Sequence, residues 1–490
     1  MKKFYWIFLM IFMITGCRDH ETIALFPLDH YDQTLSNWIK PSDPDYDQSL
    51  LSREIQQYHF ENFYKHNFGA LSPWNADYVN QILQHKAPDD LKTLEQGLFT
   101  QFSNQSKPEE QIGYGENFRP HSQNWIDTIA NNINVSELDH LNYQASHRAI
   151  AVENLPARVL PTDDPYYFSY KIAGEGYPFD NLQMSSVWVG TPLYILSETK
   201  DHAWSLVITP DFIAWVKTSG IARANEKFIS TWETAAKKQL AGITRTTTSM
   251  VDTKGVFRFS AYIGSFFPAE KNSEKLKLMI PIADENKQAV IHYALLSEND
   301  AAMMPWSVTP HHISYLMSSL LGRPYGWGNL YFYNDCSSEL KNLFAVFGIW
   351  LPRHSSDQVY VGKQVDLSAE PAADRLSYLM ANGHKLMTIV YIDGHILLYI
   401  GNYQNPHSKN HEAMAMTYQT MWGLRPNPST SRQVVGETVL FPMLEQYPED
   451  PKLMSQADKK HFQVSLLDDT PANHDLLHLE ILDLRELMYP

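Results

Sequence analysis

Apolar positions recur along the chain in three rhythms. An unbroken apolar run, residues 4–14, follows Lys2 and Lys3. At about eleven residues it is too short to cross a bilayer core of about 30 Å as a helix, which takes roughly 20. From about 26 to 143 the spacing is mainly helical. Leu51, Ile55, Tyr58, Phe60, Phe63 and Tyr64 predict a helix over 50–68, broken by Ser72-Pro73-Trp74. Trp125, Ile126, Ile129 and Ile133 predict a second, shorter one, and these residues read as core packing. From Ala151 the rhythm changes. The turn-rich stretches Leu160-Pro161-Thr162 and Gly174-Glu175-Gly176-Tyr177-Pro178 precede short apolar runs at 186–189, 192–196, 204–208 and 213–216. A further set follows at 255–259, 261–264, 277–281 and 289–293. Short strands separated by turns every eight to twelve residues predict two small β-barrels in tandem.

Beyond residue 298 helix and strand patterns mix. Leu340, Leu343, Phe344 and Phe347 stand at i, i+3, i+4 and i+7, one face of a helix, with Gly348 as its C-terminal cap and Pro352 beyond it. Asn334 or Asp335 can cap its start, which puts Cys336 in the first turn. Residues 392–401 read as an apolar strand with one histidine, His395, near its start, and 414–421 predicts the next strand.

The 490 residues suggest three or four domains at roughly 100–200 residues each. A hydrophobic fraction of 44% with 19% charged residues excludes a mostly disordered chain. The net charge of −16 argues against a nucleic-acid partner, because phosphate binding needs a cationic surface. Two cysteines cannot build a disulfide scaffold or a Cys-rich zinc site.

The first cysteine ends the opening run. A charged start, a short apolar run and small residues read as a signal peptide. Ile14-Thr15-Gly16-Cys17 resembles a bacterial lipobox, in which Cys17 is lipidated and becomes the first mature residue. Arg18 is not the Asp that resembles an inner-membrane retention signal, so the expected address is the periplasmic side of the envelope, on the outer rather than the inner membrane.

The second cysteine carries the chemistry. A helix start favours a thiolate, because orphan N–H groups and the positive dipole end face it. The competing reading is a buried structural thiol. His395 is the candidate base, and Gly394 before it lets backbone or ligand approach closely. Gln419 on the following strand offers a side-chain oxygen to orient the imidazole. His407 and His411, at i, i+4 spacing in a polar stretch, read as loop residues rather than a metal pair, and His311-His312 as structural. No metal or cofactor is expected.

The motifs resemble a known family. Gly322-Arg323-Pro324-Tyr325-Gly326-Trp327-Gly328, Asp335-Cys336-Ser337-Ser338, Leu351-Pro352-Arg353-His354-Ser355-Ser356-Asp357-Gln358 and Gly394-His395-Ile396 with Tyr399-Ile400-Gly401 resemble NlpC-type cell-wall peptidases in order and spacing, over about 309–447. Gly190-Thr191-Pro192 with Trp204 and Ala214-Trp215-Val216 resembles the bacterial SH3-type barrel of cell-wall enzymes. The resemblance implies a multidomain α+β chain: signal and lipobox at 1–17, a helical N-terminal segment at 18–145, SH3-like barrels at 146–235 and 236–297, and a papain-like α+β peptidase domain at 298–490. It implies Cys336 as nucleophile, His395 as base, Gln419 in the third catalytic slot and Tyr325 beside the nucleophile. Asp335, Ser337 and Ser355 then resemble positions that recognise the free amine of an N-terminal L-Ala, and Trp327 either walls the pocket or simply packs. The first barrel of such enzymes often adds an acidic residue, here Glu175 or Asp180. The implied activity is cleavage of the γ-D-glutamyl–L-diamino acid bond of peptidoglycan stem peptides by a monomer anchored through its lipid. The alternatives are an amidase or acyltransferase on the same fold, and an inert lipid-anchored wall-binding protein.

Overall fold

The computed structural model describes residues 22–85, 88–405 and 413–471. Cys17, His407 and His411 lie outside them. The helix Arg53–Phe68 starts at Ser52, whose side chain accepts from the Ile55 N–H, and ends at Gly69. It packs Phe63 and Phe68 into the same core as the C-terminal elements. Gln56 donates to the Trp306 carbonyl at 2.7 Å, and His59 Nε2 meets the Leu467 carbonyl at 2.7 Å. The later helices Ala76–His85, Pro88–Phe102 and Gln123–Asn132 instead share a core with the sheet that follows them. The N-terminal segment is therefore divided between two cores.

That sheet has seven antiparallel strands, in the order Gln183–Val187, Leu155–Arg158, Ile213–Lys217, Trp204–Ile208, Pro192–Glu198, Arg148–Ala151, Ile221–Arg223. All four strands expected from the apolar runs are present. The stretch between Leu155–Arg158 and Gln183–Val187 leaves the sheet as a long excursion toward the C-terminal domain. A five-stranded sheet follows, ordered Ala289–Ser297, Lys275–Ala283, Phe266–Asn272, Leu240–Ile243, Ala301–Met304, beside a hairpin of Thr248–Val251 and Phe257–Ala261. The strand expected at 261–264 is a turn, closed by the Ser265 N–H on the Tyr262 carbonyl. The helix Glu226–Lys238 lies between the two sets of expected strands, in a stretch where no element was expected. Asn225 caps it, and it buries Phe228, Ile229, Trp232 and Ala236 at helical spacing.

The C-terminal sheet also has seven strands: Ile23–Leu25, Arg432–Met443, Ala413–Leu424, His395–Gln404, Thr388–Ile392, Phe462–Leu466, Lys363–Asp366. Ile23–Leu25 adds in parallel at one edge, so a piece of the N-terminal segment belongs to this sheet. The helix Cys336–Ala345 packs on the same sheet, with Leu340, Leu343 and Phe344 in the shared core as the periodicity predicts.

Glu95, from the helix Pro88–Phe102, reaches the core beneath the first sheet, where it accepts from Trp215 Nε1 at 2.9 Å. Burial pushes its pKa up to about 8. The folded state then holds a proton that the unfolded chain releases above about pH 4.5, so stability is fully present below that value and is lost as pH rises through about 8. Glu95→Gln is expected to flatten the melting temperature between pH 5 and 8. An unchanged slope would show that Glu95 does not carry the dependence.

Candidate active site

Cys336 is the first residue of its helix and is buried. A capping box fixes the start. Asp335 Oδ1 accepts the Ser338 N–H at 3.0 Å, and Ser338 Oγ accepts the Asp335 N–H at 2.9 Å. The Cys336 sulfur accepts backbone N–H groups of Ser337 and Ile396. Ile396 follows His395, so the thiol lies against the head of the histidine strand. The helix start does not act alone on the thiol. Burial, reinforced by the negative charge of Asp335, outweighs the helix start and pushes the Cys336 thiol up to about 12.

His395 opens its strand across a two-residue hairpin in which Ile392 pairs with His395. Gly394 supplies the left-handed residue of that turn, φ +69°, and a Cβ there would meet open space. Its role is the turn rather than the close approach expected of it. His395 Nε2 lies 2.7 Å from Gln419 Oε1. A carbonyl oxygen only accepts, so the imidazole hydrogen sits on Nε2 and Nδ1 keeps its lone pair. Burial lowers the His395 pKa to about 4, against the raising pull of Gln419. Thiol and imidazole are therefore both neutral near pH 7.

Gln419 is itself held by a partner with no sequence signal, Gln456. The two amides pair reciprocally, Gln456 Nε2 to Gln419 Oε1 at 2.8 Å and Gln419 Nε2 to Gln456 Oε1 at 3.2 Å, while Gln419 Nε2 also donates to Thr417 Oγ1 at 2.9 Å. This fixes which end of Gln419 faces the imidazole. Gln456→Leu is expected to lower kcat about tenfold, the scale of one or two buried hydrogen bonds, with KM unchanged. A KM effect without a kcat effect would exclude a positioning role.

Tyr325 is anchored by its N–H on the Gly436 carbonyl at 2.8 Å, and its hydroxyl is held well above the ordinary range by burial and by the adjacent Cys336 and Asp335. Trp327 stacks edge-on against Phe179 at 5.2 Å, which in turn packs on Trp422 at 5.5 Å. Phe179 belongs to the excursion of the first sheet, so that sheet supplies one wall. Gly328 seals the junction. At φ +56° its hypothetical Cβ would come within 2.4 Å of the Gln183 carbonyl oxygen, and its own carbonyl accepts from Gln183 Nε2 at 2.8 Å.

Arg353 is the residue whose role the motif left unread. Its Nη2 meets Asp335 Oδ2 at 2.5 Å, its Nη1 donates to Ser337 Oγ at 2.7 Å, and its Nε donates to Ser185 Oγ of the first sheet at 2.7 Å. With Ser337 Oγ donating to Oδ1 at 3.3 Å and the Gly328 N–H to Oδ2 at 3.1 Å, each carboxylate oxygen of Asp335 carries two bonds. Burial would raise the Asp335 pKa, but the guanidinium and the Ser338 N–H hold it below the ordinary carboxylate range. Ser355 begins the short helix Ser355–Gln358, while Gln358 donates to the Ser337 and Pro352 carbonyls at 2.8 and 2.9 Å. Asp180 is spent inside the first sheet on Arg158 and the N–H groups of Tyr166 and Leu182. Glu175 lies half-buried near Arg432, its pKa raised by burial. His311 and His312 hold different partners, Asp47 at 2.9 Å and the Ser307 carbonyl at 2.7 Å.

Comparison with known proteins agrees with this partition. Residues 322–425 match the model of the NlpC/P60 family, and residues 165–217 match that of the SH3 domain (SH3b1 type). The chain thus carries an NlpC/P60 domain behind an SH3-like β domain. A solved NlpC/P60 endopeptidase from Photobacterium damselae subsp. piscicida is 26% identical, covering 92% of this chain and 99% of that one, with a TM-score of 0.74. An NlpC/P60 family protein from Bacillus cereus is 14% identical over 56% of this chain and 81% of its own, with a TM-score of 0.39. No curated protein matches the chain.

Proposed function

We propose that the chain is a cysteine peptidase that hydrolyses the γ-D-glutamyl–L-diamino acid bond of peptidoglycan stem peptides. The observation that carries this reading is the thiol at a helix start, packed against the head of a strand whose histidine is fixed by Gln419. Both lie inside the segment that matches the NlpC/P60 family.

The reaction runs from a neutral pair. His395 Nδ1 takes the Cys336 proton as sulfur bonds to the γ-carbonyl carbon. The Ser337 and Ile396 N–H groups, already on the sulfur, offset its charge during attack. The Tyr325 hydroxyl stays protonated at any physiological pH and donates to the oxyanion. The imidazolium is favoured by Gln419 Oε1 and the charge of Asp335. It returns its proton to the leaving amine as the C–N bond breaks. Nδ1 then deprotonates water, which cleaves the thioester and restores the thiol.

Asp335, Ser337 and Ser355 make up the L-Ala end of this site, with Glu175 as the acidic residue contributed from the first sheet. Because all acceptor positions of Asp335 are already bonded, it acts there chiefly through its charge. The five-stranded sheet with its hairpin is read as a second SH3-like barrel, and the C-terminal domain as papain-like. Lipidation at Cys17 would hold the enzyme on the periplasmic side of the envelope.

The test is digestion of L-Ala-γ-D-Glu-diaminopimelate with mass spectrometry of the products. L-Ala-γ-D-Glu and free diaminopimelate are expected. Release at the L-Ala bond, or transfer of the acyl group to another amine, would favour an amidase or acyltransferase instead.

A further inference from the structure

Glu339 stands one turn after Cys336 on the helix Cys336–Ala345 and is 1% exposed. Its helix neighbours Leu340, Leu343 and Phe344 are apolar core residues. Arg323 acts on it only from a distance, its guanidinium stacked instead over the Tyr333 ring at 5.2 Å. The helix start does not need it, since Asp335 and Ser338 already form the capping box. A carboxyl group buried without an ion pair is costly, and such departures from an apolar helix face gather at functional positions.

What the carboxyl group holds shows its use. Oε2 accepts from Asn334 Nδ2 at 2.6 Å, and Oε1 accepts from the Tyr418 hydroxyl. Asn334 is two residues before Cys336, and its Oδ1 takes Asn329 Nδ2 at 3.1 Å and Asn342 Nδ2 at 2.9 Å. The first bond therefore fixes the loop that enters the nucleophile against the helix that leaves it. The second crosses to the sheet. Tyr418 is fully buried in the strand Ala413–Leu424, directly before Gln419. Neighbouring residues of a strand face opposite sides. Tyr418 packs in the core that the helix shares with Ile396 and Leu398, whereas Gln419 turns away, to His395 and Gln456. One strand thus carries the anchor of the catalytic helix on one face and the partner of the imidazole on the other.

That link does what packing cannot. Leu340, Leu343 and Phe344 hold the helix on the sheet by apolar contact, which is non-directional and sets no register along the helix axis. Hydrogen bonds to a fixed carboxyl group do, because they weaken steeply with distance and angle. Register matters here, since a misplacement of about 1 Å between reacting groups costs about 10²-fold in rate.

We propose that Glu339 is a positioning residue: by bonding both Asn334 and Tyr418 it sets the spacing of the Cys336 thiol from the His395 imidazole. The proposal rests on the peptidase reading above, in which that pair does the chemistry.

The experiment uses the full protein, Glu339→Leu, Glu339→Gln, Tyr418→Phe and the double variant Glu339→Leu/Tyr418→Phe. Two readouts are taken at neutral pH. One is kcat and KM on L-Ala-γ-D-Glu-diaminopimelate. The other is the rate at which iodoacetamide alkylates Cys336, which needs no peptide substrate. Glu339→Leu is expected to lower kcat at least tenfold with KM unchanged, and to slow alkylation in parallel. Glu339→Gln keeps an acceptor oxygen for Tyr418 and should recover part of both rates. Tyr418→Phe should slow both in the native background and add nothing to Glu339→Leu, since the two side chains share one bond. A rise in KM alone, unchanged or faster alkylation, or equal costs of Tyr418→Phe in both backgrounds overturns the proposal and leaves the peptidase reading standing. Where Glu339→Leu does not fold, Tyr418→Phe, which removes a single oxygen, decides by the same two rates. If alkylation slows as expected while the native protein releases no diaminopimelate, the peptidase reading falls and the positioning of the thiol stands.

Discussion

Cys336→Ser is expected to lower kcat by at least ~10³-fold, the scale of losing a nucleophile, with the melting temperature little changed. The expectation follows from the resting state. The thiol sits near 12 and the imidazole near 4, so the proton must move during attack, and serine is far less nucleophilic once that proton is shared. The same two values set the pH profile of the unmodified enzyme. The imidazole must be unprotonated to accept, so kcat/KM should fall as pH drops through about 4. No alkaline limb belonging to the thiol is expected below pH 10. A bell centred near neutrality would contradict the neutral pair and favour a preformed thiolate–imidazolium. Near-normal turnover by Cys336→Ser, measured on the stem tripeptide with purified protein, would end the peptidase reading.

Arg353→Met is expected to cost about 3–5 kcal/mol, the penalty for stranding one charge of a buried pair. Asp335 would keep its charge without the guanidinium, Ser337 would lose a donor, and the first sheet would lose the link through Ser185. The neighbouring thiol should become harder to deprotonate, since Arg353 lowers its pKa. Adding Asp335→Asn should restore part of the stability, because it removes the stranded charge, without restoring activity. Chemical denaturation of the single and double variants checks both statements. A loss under 1 kcal/mol in the single variant would show that Arg353 is not the link between the sheet and the catalytic helix.

The sequence alone determined the elements that local periodicity and local motifs control. The helix behind Cys336, the strand headed by His395 and four strands of the first sheet each follow from a few neighbouring residues, because helix and strand faces repeat at 3.6 and 2 residues. The candidate nucleophile, base and orienting Gln419 were legible for the same reason, as each sits at a recognisable element end or within one strand. The helix Glu226–Lys238 carries the same kind of spacing, at Phe228, Ile229, Trp232 and Ala236, although no element was expected there. Tertiary structure decided the rest. Gln456 reaches Gln419 from 37 residues away, and Ser185 meets Arg353 across 168, distances at which no sequence pattern marks a partner. The charge state of the site was also a tertiary matter. The helix start argues for a thiolate, yet burial by distant elements and the charge of Asp335 push the thiol the other way. A pKa sums fields and desolvation over everything packed around a group, and what packs around it is set only when the sheets close.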